Sequence, residues 1–119
     1  VGLANQSTNG IVVGTGNTAV AVTDTKLVTQ IVHGVGAGQL THNAHIYTVF
    51  TTGGGTTTMT FARTYTNNSG GLITVQECGA YCQGGSSNWT FQIIRDTTGA
   101  VAVNATKILT VQYTSTSTV

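Results

Sequence analysis

Hydrophobic and polar residues along this chain alternate with a period of two, and nowhere does an apolar stripe recur at helical spacing. From Thr56 to Thr66, Met59, Phe61, Arg63 and Tyr65 fall on one side and Thr58, Thr60, Ala62 and Thr64 on the other, the pattern of a half-buried strand. After Asn67-Asn68-Ser69-Gly70-Gly71, Ile73, Val75, Glu77 and Tyr81 continue the alternation. Residues that tolerate positive φ and bond their own backbone lie between the two runs, which predicts an antiparallel hairpin over Thr56–Cys82.

Further strands are predicted on the same grounds. Ile11-Val12-Val13 is a short apolar run stopped by Gly14-Thr15-Gly16, and Thr18–Thr23 alternates Thr with Ala and Val. Lys26–His33, apolar on both sides, reads as a central strand, and Ala44–Thr52 as another. In Asn88–Arg95 the residues Trp89, Phe91, Ile93 and Arg95 share a face; Asp96–Gly99 reads as a turn before a last pair, Ala100–Val103 and Thr106–Tyr113. About eight short strands joined by Gly, Asn and Ser turns indicate an all-β chain: a single antiparallel β-sandwich or jelly roll with negligible helix. Residues 1–10 lack periodicity and read as an N-terminal arm or edge segment, leaving 11–119 as the sandwich domain.

Composition narrows the function. The 119 residues carry four Lys or Arg against three Asp or Glu, which is too little basic charge for nucleic-acid binding. No apolar run approaches the roughly 18 residues of a membrane-spanning helix, so no membrane partner is expected. The only acids are Asp24, Glu77 and Asp96, dispersed in sequence, and Cys78 with His42 or His45 lacks the local signature of a thiol hydrolase. The chain therefore reads as non-enzymatic, without catalytic residues or cofactor. Gly34, Gly36 and Gly38 precede neither a helical pattern nor a Walker-type lysine, so they suit a bulge or corner better than a phosphate cradle. His33, His42 and His45 lie close in sequence, but zinc sites use three or four ligands with a supporting shell, and no metal is expected here.

The remaining candidates are structural. Arg63 and Glu77 would approach each other across a symmetric hairpin, giving a partly buried ion pair that fixes its register. Cys78 and Cys82 in an unbroken strand would stand roughly 13 Å apart, against the roughly 4.4–6.8 Å of a disulfide. A bridge needs a bend at Gly79-Ala80-Tyr81; free thiols and bonds to neighbouring subunits are the alternatives. Trp89, Tyr47, Tyr65 and Tyr81 are the aromatics available for contact with a partner. Asn-x-Ser/Thr sequons begin at Asn5, Asn67, Asn88 and Asn104.

The run Phe61-Ala-Arg63-Thr-Tyr65-Thr-Asn67-Asn-Ser-Gly-Gly-Leu-Ile-Thr-Val75-Gln-Glu77-Cys-Gly79-Ala-Tyr81 resembles a segment common in structural proteins of tailed-phage virions. Three other pieces resemble the same proteins in the same order. They are Val20–Leu27 with His33–Leu40, Asn88–Asp96, and Val101–Thr114. Cys78, where the pattern has an aliphatic residue, and Cys82 after the Tyr depart from it. The resemblance implies a β-sandwich on the outer surface of the particle, decorating or cementing the capsid or building a tail or fibre. The partners it implies are further copies of the chain and other virion proteins, with host-surface glycans as an additional candidate. Two other classes fit the composition. One is a secreted or cell-surface filament subunit that donates Val1–Gly10 or Thr110–Val119 to the next copy; the other is a glycan-binding module.

Overall fold

The computed structural model describes residues 3–48, 51–84 and 89–119. Seven strands follow in chain order: β1 (Gly10–Gly14), β2 (Thr41–Tyr47), β3 (Thr51–Gly53), β4 (Thr56–Thr66), β5 (Ile73–Gly84), β6 (Trp89–Val103) and β7 (Ile108–Thr118). None of the described residues is helical. The strands form two antiparallel sheets packed face to face, a β-sandwich of seven strands where about eight were expected. One sheet has the order β1-β5-β6. In the other, β4 is central, paired with β7 along its whole length and with β2 and β3 side by side along its second edge.

The expected hairpin does not form, because β4 and β5 belong to different sheets. The chain between them is an arch from one sheet to the other, and Asn67 explains why. Its buried side-chain amide donates to the carbonyls of Gly71 and Val103, both at 2.7 Å, and its Oδ1 accepts from the N–H and hydroxyl of Ser69. Its backbone bonds to Thr106 and Lys107. The turn-prone residues thus tie the end of β4 to the β6–β7 connection instead of folding β5 back onto β4.

Between the sheets lie Ile11, Val13, Ile31, Leu40, Tyr65, Ile73, Val75, Cys78 and Val103, flanked by Phe61, Leu109, Val111 and Tyr113. Val12 points the other way, into a second cluster with Leu27 and Tyr81 outside the β1-β5-β6 sheet. The run Ile11-Val12-Val13 is thereby buried on both faces, each side chain contributing about 1.5–3 kcal/mol.

Neither Thr18–Thr23 nor Lys26–His33 is a strand. Three consecutive N–H groups of the latter go to side chains: Leu27 to the Tyr81 hydroxyl (2.6 Å), and Val28 and Thr29 to the Glu77 carboxylate (3.0 and 2.8 Å). Only isolated bridges, Gly14 to Gln30 and His33 to Leu40, resemble sheet pairing there. The stretch is a strap across the outer face of β5, with Leu27 packed beneath it and Ile31 turned into the core between the sheets. Nor does Asp96–Gly99 break the chain. β6 runs through it, with the register moving from Val75↔Val101 to Glu77↔Thr97 around Gly99 at φ 69°, a bulge in place of the expected turn.

Candidate contact surface and its buried anchors

Arg63 sits on β4 with no solvent exposure, and its guanidinium spends all its donors on backbone carbonyls. Nε reaches Asn43 (2.8 Å); Nη1 reaches Ile11 (2.9 Å) and Asn9 (3.2 Å); Nη2 reaches Gln6 (2.6 Å) and Leu3 (2.9 Å). The Tyr65 ring lies 5.8 Å from the guanidinium carbon, and the Tyr65 hydroxyl donates to the same Ile11 carbonyl at 2.6 Å. Loss of hydration pulls the Arg63 pKa down, yet the planar fork supplies the donors that the irregular segment before β1 needs from elsewhere. Residues 3–9, within the segment expected as an arm or edge, are stapled to the sandwich by this side chain and by Asn5, whose N–H donates to the His42 carbonyl at 2.8 Å.

The Arg63–Glu77 pair is therefore not made. Glu77 lies in the other sheet and on its outer face, where Arg95 of β6 donates to it at 3.1 Å and to Asp24, just before the strap, at 2.7 Å. The Arg95 side chain also caps the carbonyls of Thr18 (2.8 Å) and Ala19 (3.5 Å). Glu77 accepts from the N–H groups of Gly16, Val28 and Thr29. Fully buried, it exchanges its hydration for four donors, as a buried carboxylate must. A Cβ on Gly14 or Gly16 would stand 2.5 or 2.6 Å from Glu77 Oε1, so these glycines make room for the carboxylate. The Asp24 carboxyl is held below its usual range by the Ala21 N–H and by Arg95, and Arg95 is pushed up chiefly by Asp24 and then by Glu77. Arg95 and Asp24 were not singled out as partners from the sequence. The available signal was scarcity: with three acids in the chain, each buried cation had few carboxylates to choose from.

The histidines serve the backbone. His45 Nε2 accepts the Ile11 N–H at 2.8 Å, His33 Nδ1 accepts the His42 N–H at 3.1 Å, and His42 Nδ1 donates to the Leu40 carbonyl at 2.9 Å. His42 packs edge-on against Tyr65 at 4.9 Å, and its buried Nε2 has no hydrogen-bond partner. Burial lowers its pKa to about 4. Both cysteines are free, Cys78 buried and Cys82 exposed. Tyr113 donates to Asp96 at 3.0 Å, so the Cys78 thiol, 3.2 Å from the Tyr113 oxygen, is the donor in that contact. Burial raises the pKa values of Cys78 and Tyr113, so neither is poised as a nucleophile. Among the sequons, Asn5 and Asn104 are exposed, Asn67 is buried in the arch, and Asn88 lies outside the described residues.

Of the four candidate contact aromatics, Tyr65 and Tyr81 are buried, whereas Tyr47 and Trp89 reach the surface, so the four do not form one exposed platform. Trp89 belongs to a longer feature on β6. A register shift at Ala80/Tyr81 leaves Ile93 without an opposite residue and breaks the expected shared face: Phe91 lies opposite Cys82, while Arg95 lies opposite Gly79. Gln92 and Arg95 consequently turn under the strap, Gln92 donating to the Asp24 carbonyl. Trp89, Phe91 and Ile93 are left 65%, 52% and 66% exposed. Beside them, a cleft of about 260 Å³ opens between the sheets, lined by His45, Tyr47, Met59, Phe61, Cys82 and Ile94 among others. The two strands proposed for donation to a neighbour are used at home, since β7 pairs with β4 over eleven residues and residues 3–9 are held by Arg63.

Comparisons with protein-family models, with curated proteins and with solved structures find no match to this chain.

Proposed function

We propose that this chain is a non-enzymatic structural subunit of the outer surface of a tailed-phage particle, acting through contacts between subunits, in capsid decoration first and in a tail or fibre otherwise. The observation that carries the reading is β6, an edge strand that turns Gln92 and Arg95 under the strap and presents Trp89, Phe91 and Ile93 to solvent. A row of large apolar side chains on a strand edge is a surface for association. Other features support a scaffold. Arg63, Arg95, Glu77 and Asp24 are spent on internal fastening, and the hydroxyl-rich β7 and β3 give a neutral exterior. The resemblance of the Phe61–Tyr81 run to virion proteins supplies the particle. Immuno-electron microscopy of the source culture tests this: antibody against the chain should decorate the outside of tailed particles. Label confined to cells or to free filaments would end the proposal.

A further inference from the structure

We infer that the partner of the β6 edge is the β6 edge of a second copy, joined antiparallel across a two-fold axis so that the two β1-β5-β6 sheets become one six-stranded sheet. This rests on the reading of β6 as a contact surface and names what covers it. Among the described residues, backbone hydrogen bonds reach β6 only from β5, so its second edge is unpaired. The opposite edge of that sheet is closed by the strap, through the Gly14–Gln30 bridge and the bond from Ile31 N–H to the Val13 carbonyl. An antiparallel pair of identical strands is self-complementary, the geometry a closed dimer requires.

Charge and area agree on where the axis lies. An axis at Asp96 would set two carboxylates opposite each other, whereas Trp89–Ile94 carries no charge and no proline, lacking the usual guards against edge pairing. Six paired residues give an edge of roughly 20 Å by about 10 Å, and with the exposed parts of Trp89, Phe91 and Ile93 each copy covers about 500 Å². The total of about 1,000 Å² is at the lower bound for a specific interface, the size of a weak, concentration-dependent dimer. Cys82 lies one strand in from the edge, so the two Cys82 residues stand roughly three strand spacings, about 14 Å, apart. That is too far for a disulfide, and the dimer is non-covalent.

Sedimentation equilibrium of the intact chain, with hydrogen exchange at low and high concentration, tests this. The mass should rise from 12.2 kDa towards twice that value with concentration, and added protection should fall on β6. Ile93→Lys and Trp89→Lys, both at exposed positions, should each weaken association at least tenfold while leaving the circular dichroism spectrum unchanged. A chain that stays monomeric at about 100 μM, a dimer indifferent to both substitutions, protection on another strand, or a Cys82-linked dimer overturns the inference. A monomer that still decorates particles defeats the dimer alone. A β6 dimer that labels no particle upholds the dimer and defeats the virion reading.

Discussion

Replacing Arg63 with methionine keeps most of the side-chain volume and removes a guanidinium that holds five carbonyls, those of Leu3, Gln6, Asn9, Ile11 and Asn43. Hydrogen bonds to a charged group are worth about 1.5–3 kcal/mol each, but that sum overstates the loss. Leu3, Gln6 and Asn9 lie on a segment free to swing into water once released, Ile11 keeps the Tyr65 hydroxyl, and methionine spares the desolvation of a buried cation. A net loss of about 3–5 kcal/mol remains, a large fraction of the roughly 6–18 kcal/mol expected for 119 residues. Arg63→Lys, with three donors for five bonds, should fall between methionine and wild type. Urea denaturation followed by circular dichroism measures the loss. Hydrogen exchange should show the Asn5 amide, bonded to His42, losing protection in the methionine variant at concentrations of urea far below unfolding. Because Glu77 is in the other sheet, an Arg63/Glu77 double-mutant cycle should show coupling below about 0.5 kcal/mol, and an Arg95/Glu77 cycle a clearly larger one. Wild-type stability in Arg63→Met, or Arg63/Glu77 coupling above about 1 kcal/mol, would refute the carbonyl hub.

Acid should destabilise the fold through His42. His42 is neutral in the folded state down to about pH 4 and titrates near 6.5 when unfolded, so the unfolded chain takes up the proton first. Stability is full above about pH 6.5 and falls by about 2–3 kcal/mol on the way to pH 4.5, a slope that His42→Phe should abolish in urea titrations at several pH values. Gly79→Ala would bring a Cβ to 2.4 Å from the Ile94 carbonyl oxygen and should cost about 3 kcal/mol, whereas Gly71→Ala, with nothing within 4 Å, should stay within about 0.5 kcal/mol on thermal or urea unfolding. In the native protein a disulfide reagent should titrate the exposed Cys82 promptly and Cys78 only on unfolding; equal rates would contradict the Tyr113-bonded, buried thiol.

The period-two pattern of Met59 to Tyr65 and of Ile73 to Val75, and the double-sided apolar run at Ile11–Val13, were enough to establish an all-β chain and most of its inward-facing residues. Scarcity of charge and absence of helical period were likewise legible. Partnership was not. Alternation states which side of a strand is dry, but sheet neighbours are chosen by contacts far apart in sequence. The same residues therefore describe a β4–β5 hairpin and the observed arch equally well. For the same reason Lys26–His33, patterned as a strand, became a strap once Tyr81 and Glu77 took its N–H groups. Arg63 and Glu77 found carbonyls and Arg95 instead of each other, because a buried charge is satisfied by whatever donors or acceptors the packed sheets bring within about 3 Å, and that distance exists only after folding.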